Sequence, residues 1–168
     1  NEAIAQVAYQ YEGHQVTQTT FASAPNQVIV ITLKSDHPEG LNGTIQLERP
    51  KDEGIPTSTT HTAEGNLIME GEVTQRKGAF DSKPNPILEG VQFQTIVEPL
   101  IQGGELTLSA NALELKGVKE IELRIVTNSS YYHQDYKSVN KKQLNTAANY
   151  TLEELKHRHI EDHQALFN

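Results

Sequence analysis

The chain has 168 residues, no cysteine, no tryptophan and a formal net charge of −8 at pH 7. These features exclude disulfides and cysteine-ligated metals, and the acidic balance argues against nucleic acid or an anionic membrane as the main partner. No apolar run approaches the roughly 20 residues a membrane-spanning helix needs. The length suits one domain, with a core of Val, Ile and Leu because aromatics are only 6% of residues.

In chain order, most of the sequence reads as strands. Val7, Tyr9 and Tyr11 alternate with polar residues, Gly13-His14 marks a turn, and Val16 to Phe21 resumes the alternation. Val28-Ile29-Val30-Ile31-Thr32-Leu33 is an unbroken run, mostly β-branched, as expected of a strand covered on both faces. Gly43 to Glu48 alternates again, and the Pro-, Gly- and Thr-rich stretch from Pro50 to Gly65 reads as a long loop. Leu67 to Val73 is a further strand. Gly78 to Gly90, with Pro84 and Pro86, reads as a second loop. Strands are then expected at Val91 to Val97, Glu105 to Ser109, Ala112 to Lys116 and Glu120 to Thr127. About nine strands separated by turn residues indicate a mainly β fold, an antiparallel sandwich.

The last quarter changes character. Ser138 to Asn149 reads as a short polar helix. Thr151-Leu152-Glu153-Glu154 matches a capping box that opens a second helix. Leu152, Leu155, His159, His163 and Leu166 then share one face at helical spacing, with Ile160 and Phe167 beside them, and that stripe needs a partner surface.

Three groups of residues invite a chemical reading. His159 and His163 stand four apart on a helix, a spacing that can bring two imidazoles to one metal. The zinc-protease pattern requires Glu after the first His, where this chain has Ile160, and no third ligand is evident, so the residues favour two histidines lining a semi-polar helix interface. The segment Tyr131-Tyr132-His133-Gln134-Asp135-Tyr136 is the densest aromatic and polar cluster. Its rings can stack on sugar faces, which makes Tyr131, Tyr132, His133, Asp135 and Tyr136 candidate sugar contacts. The competing expectation is that the tyrosines only seal the junction between sandwich and helices. Glycosidases need two flanking carboxyl groups. Glu120 and Glu122 alternate with Ile121 and Leu123, which predicts a solvent-facing position on a strand, and Glu153 and Glu154 are explained by helix capping. No catalytic residue, metal site or cofactor is assigned. Asn42, Asn128 and Asn149 open N-glycosylation triplets, which are common by chance and would carry no meaning if the source were bacterial.

Several segments resemble, in order, the N-terminal β-super-sandwich domain of glycoside hydrolase family 95. Phe21-Ala22-Ser23-Ala24-Pro25-Asn26-Gln27-Val28-Ile29-Val30 is similar to that family's "FAS-x-PDQV-hydrophobic" strand, and His159 to Phe167 resembles its "H-x-x-DYQ-x-LF" helix. Gly90-Val91-Gln92-Phe93, Gly103-Gly104 and Ile125 to Tyr131 fall between them in the family's order, and Asn1-Glu2-Ala3 is similar to its "LDL-x-x-A" strand entry. Asn26 stands where the family pattern has Asp, and His163 where it has Tyr.

The resemblance implies a bacterial α-L-fucosidase or α-L-galactosidase as parent, inverting, with α-1,2-linked fucose as the main substrate. It implies a helical linker after the sandwich, then a catalytic α/α barrel holding the catalytic residues beyond Asn168. On this reading residues 1–130 are the β-sandwich, incomplete at its N-terminus, and residues 131–168 are a helical linker. The chain itself is then a non-catalytic scaffold whose partners are the barrel and a fucosylated oligosaccharide, with no nucleic acid and no membrane, in a periplasmic or extracellular setting. A stand-alone carbohydrate-binding or interaction sandwich is the alternative, with a small immunoglobulin-like unit lacking a packed helical tail as its generic form.

Overall fold

The computed structural model describes residues 2–50, 58–73 and 90–167. Among them the chain forms ten strands and two helices. In order these are β1 (Ala5–Tyr11), β2 (His14–Ser23), β3 (Val28–Ser35), β4 (Leu41–Gln46), β5 (Ser58–Ala63), β6 (Asn66–Val73), β7 (Val91–Gln102), β8 (Glu105–Leu108), β9 (Ala112–Val118), β10 (Glu120–Ser129), α1 (Tyr136–Ala147) and α2 (Leu152–Phe167). All strand pairs are antiparallel. A seven-stranded sheet runs β1-β2-β3-β10-β7-β6-β5, and a three-stranded sheet runs β4-β9-β8. Two hairpins of the seven-stranded sheet, β1–β2 and β5–β6, close through left-handed pairs: Glu12 and Gly13 at φ 52° and 81°, Glu64 and Gly65 at φ 53° and 82°. That is the backbone of the tight turn that matches strand twist, and glycine supplies its second position without strain.

The larger sheet is the middle of three layers. On one face its strands meet the smaller sheet through Leu67, Val97, Leu113, Val118, Ile121 and Leu123. On the other, Phe21, Val28, Val30, Ile96 and Val126 pack under Leu144 and Ala147 of α1 and Leu155 of α2. The period-2 alternation of β10 explains both contacts, because Ile121 and Leu123 point one way and Val126 the other. The expected two-sided cover of β3 is present as well. Val28 and Val30 face the helices and Ile31 and Leu33 the smaller sheet, while Ile29 is partly exposed.

Four expectations need correction. The stretch 50–65 is not all loop: Ser58–Ala63 is β5, paired residue by residue with β6 from Ser58↔Gly71 to Ala63↔Asn66. Its Thr-rich sequence offers no apolar alternation, and the strand is fixed by its pairing. The first helix starts at Tyr136 and ends at Ala147 rather than running from Ser138 to Asn149. The apolar stripe of α2 does not continue to its end, since Leu166 and Phe167 are 76% and 72% exposed. Glu120 and Glu122 do not face open solvent but lie on the helix side of the sheet, where their side chains retain 22% and 14% exposure. The second expected loop lies, apart from Gly90, outside the described residues.

Candidate functional site

The expected sugar contacts lie where β10 hands over to α1. The turn after Ser129 is tied to β7, because Ser130 N–H donates to the Gln92 carbonyl at 2.8 Å and Gln92 N–H to Ser130 Oγ at 3.0 Å. His133 N–H bonds the Ser129 carbonyl at 3.2 Å, curling the chain back on itself. This geometry splits the cluster. Tyr131 and Tyr132 point outward, 73% and 80% exposed, as an edge-to-face pair with ring centroids 4.8 Å apart. His133 and Asp135 are exposed beside them. Tyr136 turns inward and is buried, its hydroxyl 3.4 Å from Gln92 Oε1. Tyr136 therefore fits the sealing role, and the other two rings do not. An exposed aromatic pair on a tethered turn offers apolar faces to a ligand without prior rearrangement.

Beneath this turn a polar network docks α1. Asn140 is fully buried and donates to the Gln94 carbonyl at 2.9 Å and to Gln94 Oε1 at 3.1 Å, while accepting from Asn128 Nδ2 at 2.7 Å. Gln94 Nε2 in turn donates to Glu70, and Lys137 Nζ lies 2.9 Å from the same carboxylate. The bond from Lys137 holds the Glu70 carboxyl below its ordinary value, and the same bond raises the Lys137 ammonium above its own.

The strongest anchor is Arg124, which pattern reading passed over. It is buried, its Nε donates to Glu122 at 2.6 Å, and its two Nη groups donate to the carbonyls of Ala147 at 2.7 Å and Tyr150 at 3.0 Å. These carbonyls lie at and just beyond the end of α1, where a helix runs short of donors. Ala147 O also accepts from Tyr150 N–H at 3.1 Å, and the guanidinium adds a second donor there, serves Tyr150 O and places positive charge at the negative end of the helix dipole. A lone Arg inside Ile121-Glu122-Leu123-Arg124-Ile125-Val126 was the available signal.

His159 and His163 of α2 also belong to packing. His159 is buried, stacks on Phe21 at 5.3 Å, and lies 3.0 and 3.1 Å by its Nε2 from the carbonyls of Glu2 and Ala3. Carbonyls only accept, so Nε2 carries its proton and is not open to a metal. His163 sits between His159 and Phe167, at 6.3 and 4.7 Å between ring centroids. No group of three or more metal-ligating side chains occurs among the described residues. The two departures from the family pattern fall on this interface too, since Asn26 is buried and accepts from Ser23 Oγ and from Arg158 Nε of α2, both at 3.1 Å. The capping box at α2 forms as the sequence predicts. Glu154 N–H donates to Thr151 Oγ1 at 3.3 Å and Thr151 N–H to Glu154 Oε2 at 2.8 Å, which lowers the Glu154 carboxyl. Among the described residues, the two carboxyls with a shifted proton affinity, Glu70 and Glu154, are thus shifted down, opposite to the direction a glycosidase acid requires.

Fold and site together define a β-sandwich domain with a docked helical tail and an exposed aromatic turn. The family model for "Glycosyl hydrolase family 65, N-terminal domain" matches residues 1–134, and the chain belongs to this family. Among solved structures, one described as "Putative kojibiose phosphorylase from human microbiome" shares the fold with a TM-score of 0.57 and 8% identity. The match covers 95% of this chain and 23% of that one, so the chain spans under a quarter of the similar protein's length. No curated protein matches. The model's description names family 65, whereas the motifs resemble family 95; what the two share is an N-terminal domain of a glycoside-processing enzyme. A small immunoglobulin-like unit is ruled out by the ten strands and the packed helices.

Proposed function

We propose that this chain is the non-catalytic N-terminal scaffold of a larger glycoside hydrolase of the inverting α-L-fucosidase type. The observation that carries the reading is the ordered resemblance of two distant segments, 21–30 and 159–167, which also touch in the fold. Phe21 stacks on His159, and Asn26 accepts from Arg158 next to it. The family match over residues 1–134 supports the coarser half of the reading. In this role the sandwich holds α2 by its buried stripe and presents the exposed Leu166 and Phe167 to the catalytic barrel that the parent supplies.

The chain alone is expected to leave aryl α-L-fucosides unhydrolysed, and clear turnover by the pure chain would sink the scaffold reading. The parent polypeptide is expected to release fucose from an α-1,2-linked fucoside in water with inversion at the anomeric carbon, followed by proton NMR. Cleavage of kojibiose only in the presence of phosphate would replace the fucosidase assignment with a phosphorylase while leaving the scaffold role intact.

A second reading is favoured by the Tyr131–Tyr132 pair. Two rings so exposed do nothing for the core, and their geometry suits stacking on a sugar. Titration with a fucosylated oligosaccharide, watched through the NMR shifts of residues 130–135, is expected to move those signals. Silence at millimolar ligand leaves the scaffold reading alone.

A further inference from the structure

The two edges of the seven-stranded sheet are finished differently. At β5 the edge is covered: Thr62 N–H donates to the Ala110 carbonyl at 3.2 Å, Thr62 Oγ1 to the Ser109 carbonyl at 2.7 Å, and Thr60 Oγ1 to the Leu47 carbonyl at 3.1 Å. At the other edge β1 pairs only with β2 among the described strands, and all seven of its residues are exposed. Natural sheets protect such an edge with charge, proline, a bulge or shortness. None is present here. The sequence Ala5-Gln6-Val7-Ala8-Tyr9-Gln10-Tyr11 has no charged residue and no proline, and its register with β2 runs unbroken from Ala5↔Thr20 to Tyr11↔His14.

We infer that β1 is a strand-addition surface and that its partner is β1 of a second copy, paired antiparallel about a two-fold axis at Ala8. The sequence is self-complementary in that register. Val7 falls opposite Tyr9 of the second copy, Ala5 opposite Tyr11, Gln6 opposite Gln10, and Ala8 opposite Ala8. Small residues thereby meet large ones, and β-branched-to-aromatic pairs are among the stabilising cross-strand combinations. Ala5, Val7, Tyr9 and Tyr11 share the face that carries Val16, since Tyr9 is the direct neighbour of Val16. On that face Tyr9 and Tyr11 border an open groove of about 490 Å³ that also takes in Val16 and Leu41 and carries Glu12, His37 and Glu39 in its lining. Pairing would join the Val7, Tyr9 and Tyr11 side chains of two copies into one apolar band. Charge points the same way. Each copy carries −8, and the uncharged stretch from Ala3 to Tyr11 is where two such chains can approach without opposing carboxylates. One strand pair falls in the class of small interfaces, below about 1,200 Å², so the dimer is weak and exchanging.

The test is a charge swap at the axis. Ala8 is exposed in the monomer, so Ala8→Lys and Ala8→Glu should leave the thermal melting of the full chain unchanged. Sedimentation velocity over a wide concentration range is expected to show the unsubstituted chain passing from monomer to dimer. Each variant alone should dimerise roughly fivefold or more weakly, because like charges then face each other across the axis. An equimolar mixture should recover dimers of mixed composition. The inference is overturned if the unsubstituted chain stays monomeric, if the single variants associate as it does, or if the mixture behaves like its components.

Discussion

The seven-stranded sheet meets three strands on one face and two helices on the other, and the two contacts are made from different chemistry. Between the sheets the fully buried side chains among the described residues are Leu67, Val97, Leu113, Val118 and Ile121, all aliphatic. Under the helices, Val30, Val126 and Leu155 share the space with Arg124, Asn140, Gln94 and His159, each buried and hydrogen-bonded to a named partner. Aliphatic burial is worth about 1.5–3 kcal/mol per side chain and tolerates small shifts in orientation. Hydrogen bonds and ion pairs in a buried site add little net stability but penalise wrong geometry heavily. The first face therefore secures the domain, and the second fixes where the helical tail leaves it. That division suits a scaffold whose tail must present the next part of a longer chain at a set angle.

The comparison breaks most visibly at Arg124. Arg124→Ala strips Glu122 of its buried partner, takes the side-chain donor from the Tyr150 carbonyl and leaves the Ala147 carbonyl with the Tyr150 N–H alone, for a loss of about 3–5 kcal/mol. The loss should be local. Limited proteolysis is expected to cut between α1 and α2, around residues 148–151, while the β signal in circular dichroism persists. If the whole chain unfolds at once, the two faces are one cooperative unit and the division of roles fails.

On the opposite face, Leu113→Ala removes a side chain with no exposure and is expected to cost about 2–5 kcal/mol. Here the expected signature is global. Strand and helix signals should melt together at a lower denaturant midpoint, with an unchanged slope. Helices that came away first would place their anchorage in the smaller sheet's contact instead.

A milder change sharpens the role of the tail. Thr151→Ala removes the capping hydroxyl of α2 and is expected to lower the melting temperature by about 2–4 °C, with no change in the exposure of Leu166 and Phe167. A larger fall would mean that the cap also sets how α2 docks.

How much of this was legible in the sequence follows from which forces are local. The alternation in β2 and β10 and the unbroken apolar run of β3 show in the sequence because each faces a core, and the Thr151-to-Glu154 cap shows because its partners are three residues apart. Ser58–Ala63 was unreadable as a strand because its reason for being one lies in β6. Arg124 stood out only as a lone cation in an apolar stretch, and its role was unreadable because the carbonyls it serves are 23 and 26 residues away. The tyrosine cluster was half legible: composition marked the segment, but only the turn tied to Gln92 decides that Tyr131 and Tyr132 face out while Tyr136 faces in. In β1 the alternation announced a strand and was silent on the sheet edge, since an edge is defined by what does not pair with it.

The smallest effect tests whether the polar face responds to pH as its geometry requires. Glu70 is lowered from 4.5 by the hydrogen bond from Lys137, with help from Gln94 and against the opposing effect of burial. A carboxyl lowered on folding contributes stability that is fully present above its unfolded value and is lost as pH falls through the folded one. Lys137 is the mirror case, raised from 10.5, so its contribution is complete below that value and fades as pH climbs past it. Both groups are largely in contact with water, so the pair is worth under about 1 kcal/mol. Glu70→Gln keeps a partner for Gln94 and Lys137 but removes the charge. The denaturation midpoint of this variant should fall less steeply than that of the unsubstituted chain between neutral pH and pH 3, and less steeply again above pH 10. Equal acid slopes would show that the Glu70–Lys137 bond is not kept in solution, and the polar docking of α1 would then rest on Arg124, Asn128, Asn140 and Gln94.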